Sequence, residues 1–193
     1  MKKIFVLLAG MSLTVASFAQ GAWSLDKAHS SVNFSVVHMV VSEVVGSFKD
    51  FSADVKSEKS DFSDLSTTFT IQTKSVNTDN GNRDQHLKGA DFFDVEKFPT
   101  ITFTSSSLKK ISDNKYELEG DLTMKGVTKK VKWDLKYNGS IKDTRGAEHA
   151  GFKATTTINR KDYGVSWNKA IDNGGLTVSD DVTLTVNVEL SKK

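Results

Sequence analysis

Along most of the chain, apolar side chains fall on every second residue. In the segment 30–39, Val32, Phe34, Val36 and His38 share one face, while Ser31, Asn33 and Ser35 share the other. Side chains of an extended strand point alternately to opposite sides of a sheet, so this pattern predicts a strand with one dry face. The alternation returns at 46–55, at 65–73 (Leu65, Thr67, Phe69, Ile71), at 100–108 (Ile101, Phe103) and at 115–126 (Tyr116, Leu118, Leu122, Met124). It continues at 129–139 (Val131, Trp133, Leu135, Tyr137), at 149–158 (Phe152, Ala154, Ile158) and at 180–190 (Val182, Leu184, Val186, Val188, Leu190). Eight half-buried strands are predicted. Asn, Asp, Ser and Gly clusters at 112–114, 125–126, 138–140 and 173–175 have the chemistry of hairpin turns and would join the strands into an antiparallel meander.

An open antiparallel sheet keeps two edges that can pair with other chains, and closure removes them. The expected fold is therefore all-β: an eight-stranded antiparallel barrel. At eight strands the interior is either filled by side chains or holds one elongated ligand. The predicted inward set mixes Phe34, Phe69, Phe103, Trp133 and Phe152 with the small Thr67, Gly120, Ala154 and Thr156. Alternation alone fits a filled barrel and a hollow one equally.

The alternation breaks at 81–99, GNRDQHLKGADFFDVEKFP. Asp79 or Asn82 is a candidate N-cap for a short helix in which Arg83, His86 and Leu87 fall at i, i+3 and i+4 and so share a face. Phe92, Phe93, Val95 and Phe98 follow, before the chain's single proline, Pro99, restarts extended backbone. The expectation is a helical crossover or lid with a polar tip and an apolar underside. A plug with Arg83 paired to Asp84 or Asp79 fits the same residues. A second polar block, Asn159, Arg160, Asp162, Tyr163 and Gly164, reads either as a turn fastened by Arg160 and Asp162 or as a further polar contact for a ligand.

The first 19 residues have the layout of a secretory leader: Lys2 and Lys3, an apolar run from Ile4 to Val15, and small residues at Ser17 and Ala19. Cleavage after Ala19 is expected, leaving one barrel domain over 20–193 in the periplasm or outside the cell. Loss of Lys2 and Lys3 would leave 24 basic residues against 24 acidic ones. Such a balance offers no basic stripe for nucleic acid. The absence of cysteine excludes disulfides, thiolate metal sites and a cysteine nucleophile.

The order of several motifs resembles that of the YceI family of exported polyisoprenoid-binding proteins. They are WSLDKAHSSVNFSVVHMVVSEVVGSF, SVNTDNGNRDQHLKGADFFDVEKFPTITF, LEGDLTMKGVTKKV, INRKDYGV and the closing VSDDVTLTVNVEL. The resemblance runs from about Trp23 to Leu190, with RDQHL and DFFDVEKFP its most distinctive block; Ser179 departs from a glycine common in the family before the last strand. It implies a lipocalin-like barrel whose bore takes an isoprenoid chain. The residues expected around that bore are Phe34, Val36, His38, Phe69, Ile71, Phe103, Leu122, Met124, Trp133, Leu135, Phe152 and Val186. Arg83, His86 and Arg160 are the expected head-group contacts.

The four histidines, His29, His38, His86 and His149, form no His-x-His or HExxH pair, and no GxSxG elbow surrounds a serine. The expected function is noncatalytic binding or carriage of a polyisoprenoid, an isoprenoid quinone or a similar amphiphilic lipid, with transient membrane contact, no metal and no cofactor. The alternative is an exported enzyme acting on such an amphiphile, with His86 as acid or base and Arg83 stabilising an anion. No sequence feature specifies an oligomeric state.

Overall fold

A computed structural model describes residues 21–170 and 176–192. In chain order the elements are β1 (Ala22–His38), β2 (Ser42–Phe48), β3 (Phe51–Lys56), β4 (Ser66–Gln72), a 3-10 turn (Thr73–Ser75), β5 (Val76–Asn77), α1 (Gly81–Lys88) and β6 (Thr100–Ser112). There follow β7 (Lys115–Met124), β8 (Val127–Lys142), β9 (Glu148–Asn159), a 3-10 turn (Arg160–Tyr163) and β10 (Val178–Lys192). Every strand pairing is antiparallel, and β10 returns to pair with β1, which closes the sheet into a barrel. The β2 and β3 segments pair with successive parts of β1, and β4 and β5 run in turn against β3 and β2. Each of these two broken pairs is one bent strand, so the barrel has eight.

The bend is written in the sequence. Phe48 and Phe51 are both buried but lie three residues apart, so the alternation changes phase at Lys49 and Asp50. Backbone bonds from Lys49 N to Ser75 O (3.1 Å) and from Gln72 N to Asp50 O (2.9 Å) carry the pairing across it. Close approach replaces side chains at two glycines. A Cβ at Gly46 would lie 2.2 Å from the Phe34 ring, and one at Gly120 would lie 2.6 Å from the Phe103 ring.

Two of the predicted turns form, with positive φ at Asn114, Lys125 and Gly126. The turn expected at 138–140 does not. That stretch lies inside β8, where Gly139, with φ of 111°, forms a bulge opposite Gly151, and pairing continues through Lys142. Turn composition here serves a bulge, because Ile141 and Lys142 still find partners in His149 and Glu148. The chain reverses instead at 143–147, where Asp143 Oδ1 accepts from Arg145 N (2.8 Å) and Ala147 N (2.9 Å). The turn expected at 173–175 and the leader expected at 1–19 lie outside the described residues.

One end of the barrel is sealed by rings. Phe62 is 2% exposed, and its ring centroid lies 4.9 Å from Trp23, 5.2 Å from Tyr137 and 4.9 Å from Phe152. The loop carrying it is fastened by Asp64, which accepts from Ser57 Oγ (2.6 Å), Glu58 N (2.9 Å) and Lys59 N (3.3 Å). Trp23 Nε1 donates to Ser57 O at 3.2 Å, and Tyr116 Oη to Asp61 O. The predicted outer faces carry ion pairs, among them Lys130 with Asp121 (3.2 Å) and Lys132 with Glu117 (3.0 Å) and Glu119 (3.6 Å).

Candidate functional site

Above the ring cluster the barrel is hollow. A cavity of about 350 Å³ runs between the inner faces, within the roughly 300–1,000 Å³ typical of small-molecule sites. Phe34, Val36, His38, Phe69, Ile71 and Phe103 line it from β1, β4 and β6. Leu122, Met124, Trp133, Leu135, Phe152 and Val186 line it from β7 to β10. Trp23, Phe62 and Tyr137 do not, so they form the floor below it. Trp133 Nε1 and Thr67 Oγ1 are buried without a hydrogen-bond partner among the described residues, packed where solvent does not reach, and leave the wall apolar.

The other end opens between α1, the β1–β2 hairpin and the segment preceding β10. The helix is capped by Asn80, whose Oδ1 accepts from Arg83 N at 3.0 Å. Neither Asp79 nor Asn82 is the cap: Asp79 has φ of 57°, and Asn82 lies within the first turn. Nor does Arg83 pair with an acid among the described residues. Its Nε donates to Thr78 Oγ1 and its Nη2 to Thr78 O, both at 2.8 Å, while Asp84 accepts from Thr78 N (2.8 Å) and Oγ1 (2.6 Å). Buried Thr78 thus stands between the two charges. Nη1 has no hydrogen-bond partner among the described residues, and Arg83 is exposed at the cavity rim.

His86 also lies on this rim. Its Nε2 is 3.3 Å from Asp91 Oδ2, and its ring meets Phe92 and Trp167 edge-on at 5.0 and 5.1 Å. Phe92 and Phe93 face the cavity as the apolar underside expected of the segment, with Phe93 against Phe48 at 5.5 Å. Phe98 does not join them and packs instead on the turn at Gly126.

Arg160, which also borders the cavity, is 4% exposed. Its Nη1 donates to Val165 O (2.7 Å) and Trp167 O (2.8 Å), its Nε to Ser179 O (2.9 Å) and its Nη2 to Val178 O (3.5 Å). The nearest carboxylate among the described residues is Asp180, at 3.6 Å, and Asp162 pairs with Lys129 instead. Burial pulls the guanidinium pKa down and the Asp180 charge raises it. Its donors therefore hold the loop backbone at the mouth. Gly164, with φ of 73°, turns that loop, and Ser179 accepts from Val37 N through Oγ at 3.2 Å.

Sequence reading missed Trp167, Val165, Val44 and Thr177 as lining residues. The first two lie in irregular backbone, where no periodicity assigns a side chain to a face. It also missed a group on the outer wall, where the ligand atoms of half-buried Asp26 and Glu189 and exposed His29 lie within 4.8 Å of one another. Residues 27–30 form a bulge that folds His29 Nδ1 back to 3.0 Å from Asp26 Oδ2. That hydrogen bond raises the His29 pKa and lowers that of Asp26. The group is not part of the cavity.

The likeness to known proteins spans the whole barrel. A UPF0312 protein of Staphylococcus aureus is 41% identical over 170 residues, 88% of this chain and 96% of the relative. The crystal structure of the Campylobacter jejuni YCEI protein shares 37% identity and a TM-score of 0.73, covering 88% of this chain and 97% of that one. Burkholderia cenocepacia BcnA shares 26% identity and the same TM-score, over 86% of this chain and 98% of that one. A polyisoprenoid binding domain from Saccharophagus degradans has the same fold, with a TM-score of 0.66 at 15% identity, over 90% of this chain and 99% of that one. Since the YceI-like domain matches residues 23–190, every strand of the barrel included, the chain belongs to the YceI family.

Proposed function

We propose that the protein binds and carries a polyisoprenoid or similar amphiphilic lipid in the bore without altering it, outside the cytoplasm and with transient membrane contact. The observation that carries this reading is the hollow itself: a closed sheet with an apolar wall, floored by rings at one end and rimmed by polar groups at the other. An apolar tail gains about 0.8 kcal/mol per methylene moved out of water. A head group then lies where Arg83 offers charged donors and His86 a ring nitrogen. Phosphate, pyrophosphate and quinone oxygens all accept from such a pair, so an isoprenoid quinone and a prenyl phosphate are both suited to it. Arg160 contributes by shaping the rim.

The test is native mass spectrometry of protein purified from its own envelope, followed by organic extraction. An isoprenoid-sized lipid, recovered unchanged after long incubation, is the expected result. Recovery of a chemically altered lipid would favour the enzyme reading, for which the His86–Asp91 contact supplies an acid–base pair. In parallel, Val186→Trp adds bulk inside the hollow. It should expel lipid while leaving the melting temperature nearly unchanged, whereas overpacking a solid core costs about 1–3 kcal/mol.

A further inference from the structure

Building on the bore as a lipid site, we infer that the β1–β2 hairpin is a membrane-inserting tip that seats the mouth of the barrel on a bilayer. The turn His38–Val41 has positive φ at both central residues, 50° at Met39 and 65° at Val40, and Val41 N donates to His38 O at 3.2 Å. These are the marks of a type I′ turn, whose central positions favour Asn-Gly; a β-branched residue is crowded there. Valine at the second position is thus disfavoured by its own backbone. At 70% exposed it gains little from the core in return. Val41 beside it is 86% exposed. Among the described residues, five of the eight exposed large hydrophobics lie between Val37 and Val45. Apolar exposure is concentrated on this hairpin rather than scattered, and concentration is what marks a contact surface. Neither turn preference nor folding accounts for these side chains, whereas contact with an apolar phase outside the protein does.

Position identifies that phase. Val36, His38 and Val44 line the cavity, while Val37 and Val45 point outward, so the hairpin is a wall of the bore and its tip projects from the rim. Met39 N donates to Thr177 O at 2.9 Å, which ties the tip to the lining residues Thr177 and Val178. A bilayer covering the tip would be continuous with the bore, and a lipid tail could pass between them without the cost of entering water. A second copy of the chain would need a matching groove. The exposed Ile111 and Ile141 lie singly beside turns at the sealed end.

Flotation of the exported chain with phosphatidylcholine vesicles, with and without phosphatidylglycerol, tests the inference. The wild type should float with both. The double variant Met39→Asn, Val40→Gly should lose about tenfold or more in vesicle binding. It should melt at or above the wild-type temperature, because Asn-Gly suits the turn. Neither side chain lines the bore, so uptake of geranylgeranyl pyrophosphate from detergent micelles should be unchanged. Equal flotation of both proteins, or of neither, overturns the inference. So does a wild-type dimer, seen by light scattering, that dissociates in the variant and never binds vesicles. If the wild type floats, the variant does not, and neither takes up the prenyl probe, the membrane tip stands and the reading of the bore fails.

Discussion

The two ends of the barrel are built on opposite principles. At the sealed end, apolar rings hold the structure, and the polar groups of the overlying loop are satisfied by Asp64 and by backbone. At the open end residues 165–168 are tied by directional bonds, from the buried Arg160 guanidinium to Val165 O, Trp167 O and Ser179 O and between Asn168 and Val178, while Phe92, Trp167 and the hairpin valines line the bore or face solvent. Phe92 and Trp167 pack on His86 and on each other, yet both also line the cavity, so part of the mouth's apolar surface stays available to a ligand. Directional bonds from a planar donor to carbonyls hold the backbone there instead.

Truncation of the plug should have the largest effect. Phe62→Ala removes the ring on which the floor converges and should cost about 3–5 kcal/mol, read as a fall in the denaturation midpoint. A small change would show that the floor is not held by packing. At the mouth, Arg160→Lys keeps the charge but not the fork. Its cost should be about 1.5–3 kcal/mol through carbonyls left without donors, and if lysine restores full stability, charge rather than geometry holds the rim.

Arg83→Ala should change melting little, since the side chain is exposed, yet weaken geranylgeranyl pyrophosphate by about 1.5–3 kcal/mol while sparing the matching neutral hydrocarbon. Equal loss of both ligands, measured by titration, would remove Arg83 from the head-group site. The smallest effect appears only in alkali. Burial pushes the Tyr163 hydroxyl up to about 12, above its ordinary value of 10.0. The folded state therefore holds this proton more tightly than the unfolded chain. The contribution is complete below pH 10 and is lost as pH rises towards about 12. Tyr163→Phe should flatten that limb of the stability–pH curve and leave neutral pH nearly unchanged; an unaltered limb would place the alkaline transition on another group.

Legibility divides along the same line as the two ends. Regular strands announce their inner faces, so all twelve residues assigned to the bore by alternation face the cavity. The three-residue spacing of Phe48 and Phe51 marks the bend within 46–55 in the sequence itself. Where the chain is irregular the signal fails. The cap falls on Asn80, between Asp79 and Asn82, because its side-chain oxygen lies three residues before the amide of Arg83, from which it accepts. Asn138 to Ser140 has turn chemistry, yet it bulges within a strand whose remaining partners keep it extended.

By itself, the sequence determined most of the strands, their dry faces and the antiparallel order, because period-two burial and local turn chemistry act over a few residues, while the family was legible only in the order of its motifs. Whether the dry faces meet or stand apart was decided only by the tertiary structure, since hollowness depends on how far opposite walls are held from one another. The same holds for the partners of Arg83 and Arg160. A guanidinium reaches whichever oxygen the fold brings near, and at both sites carbonyl and hydroxyl oxygens took its donor bonds in preference to the neighbouring acids of the sequence.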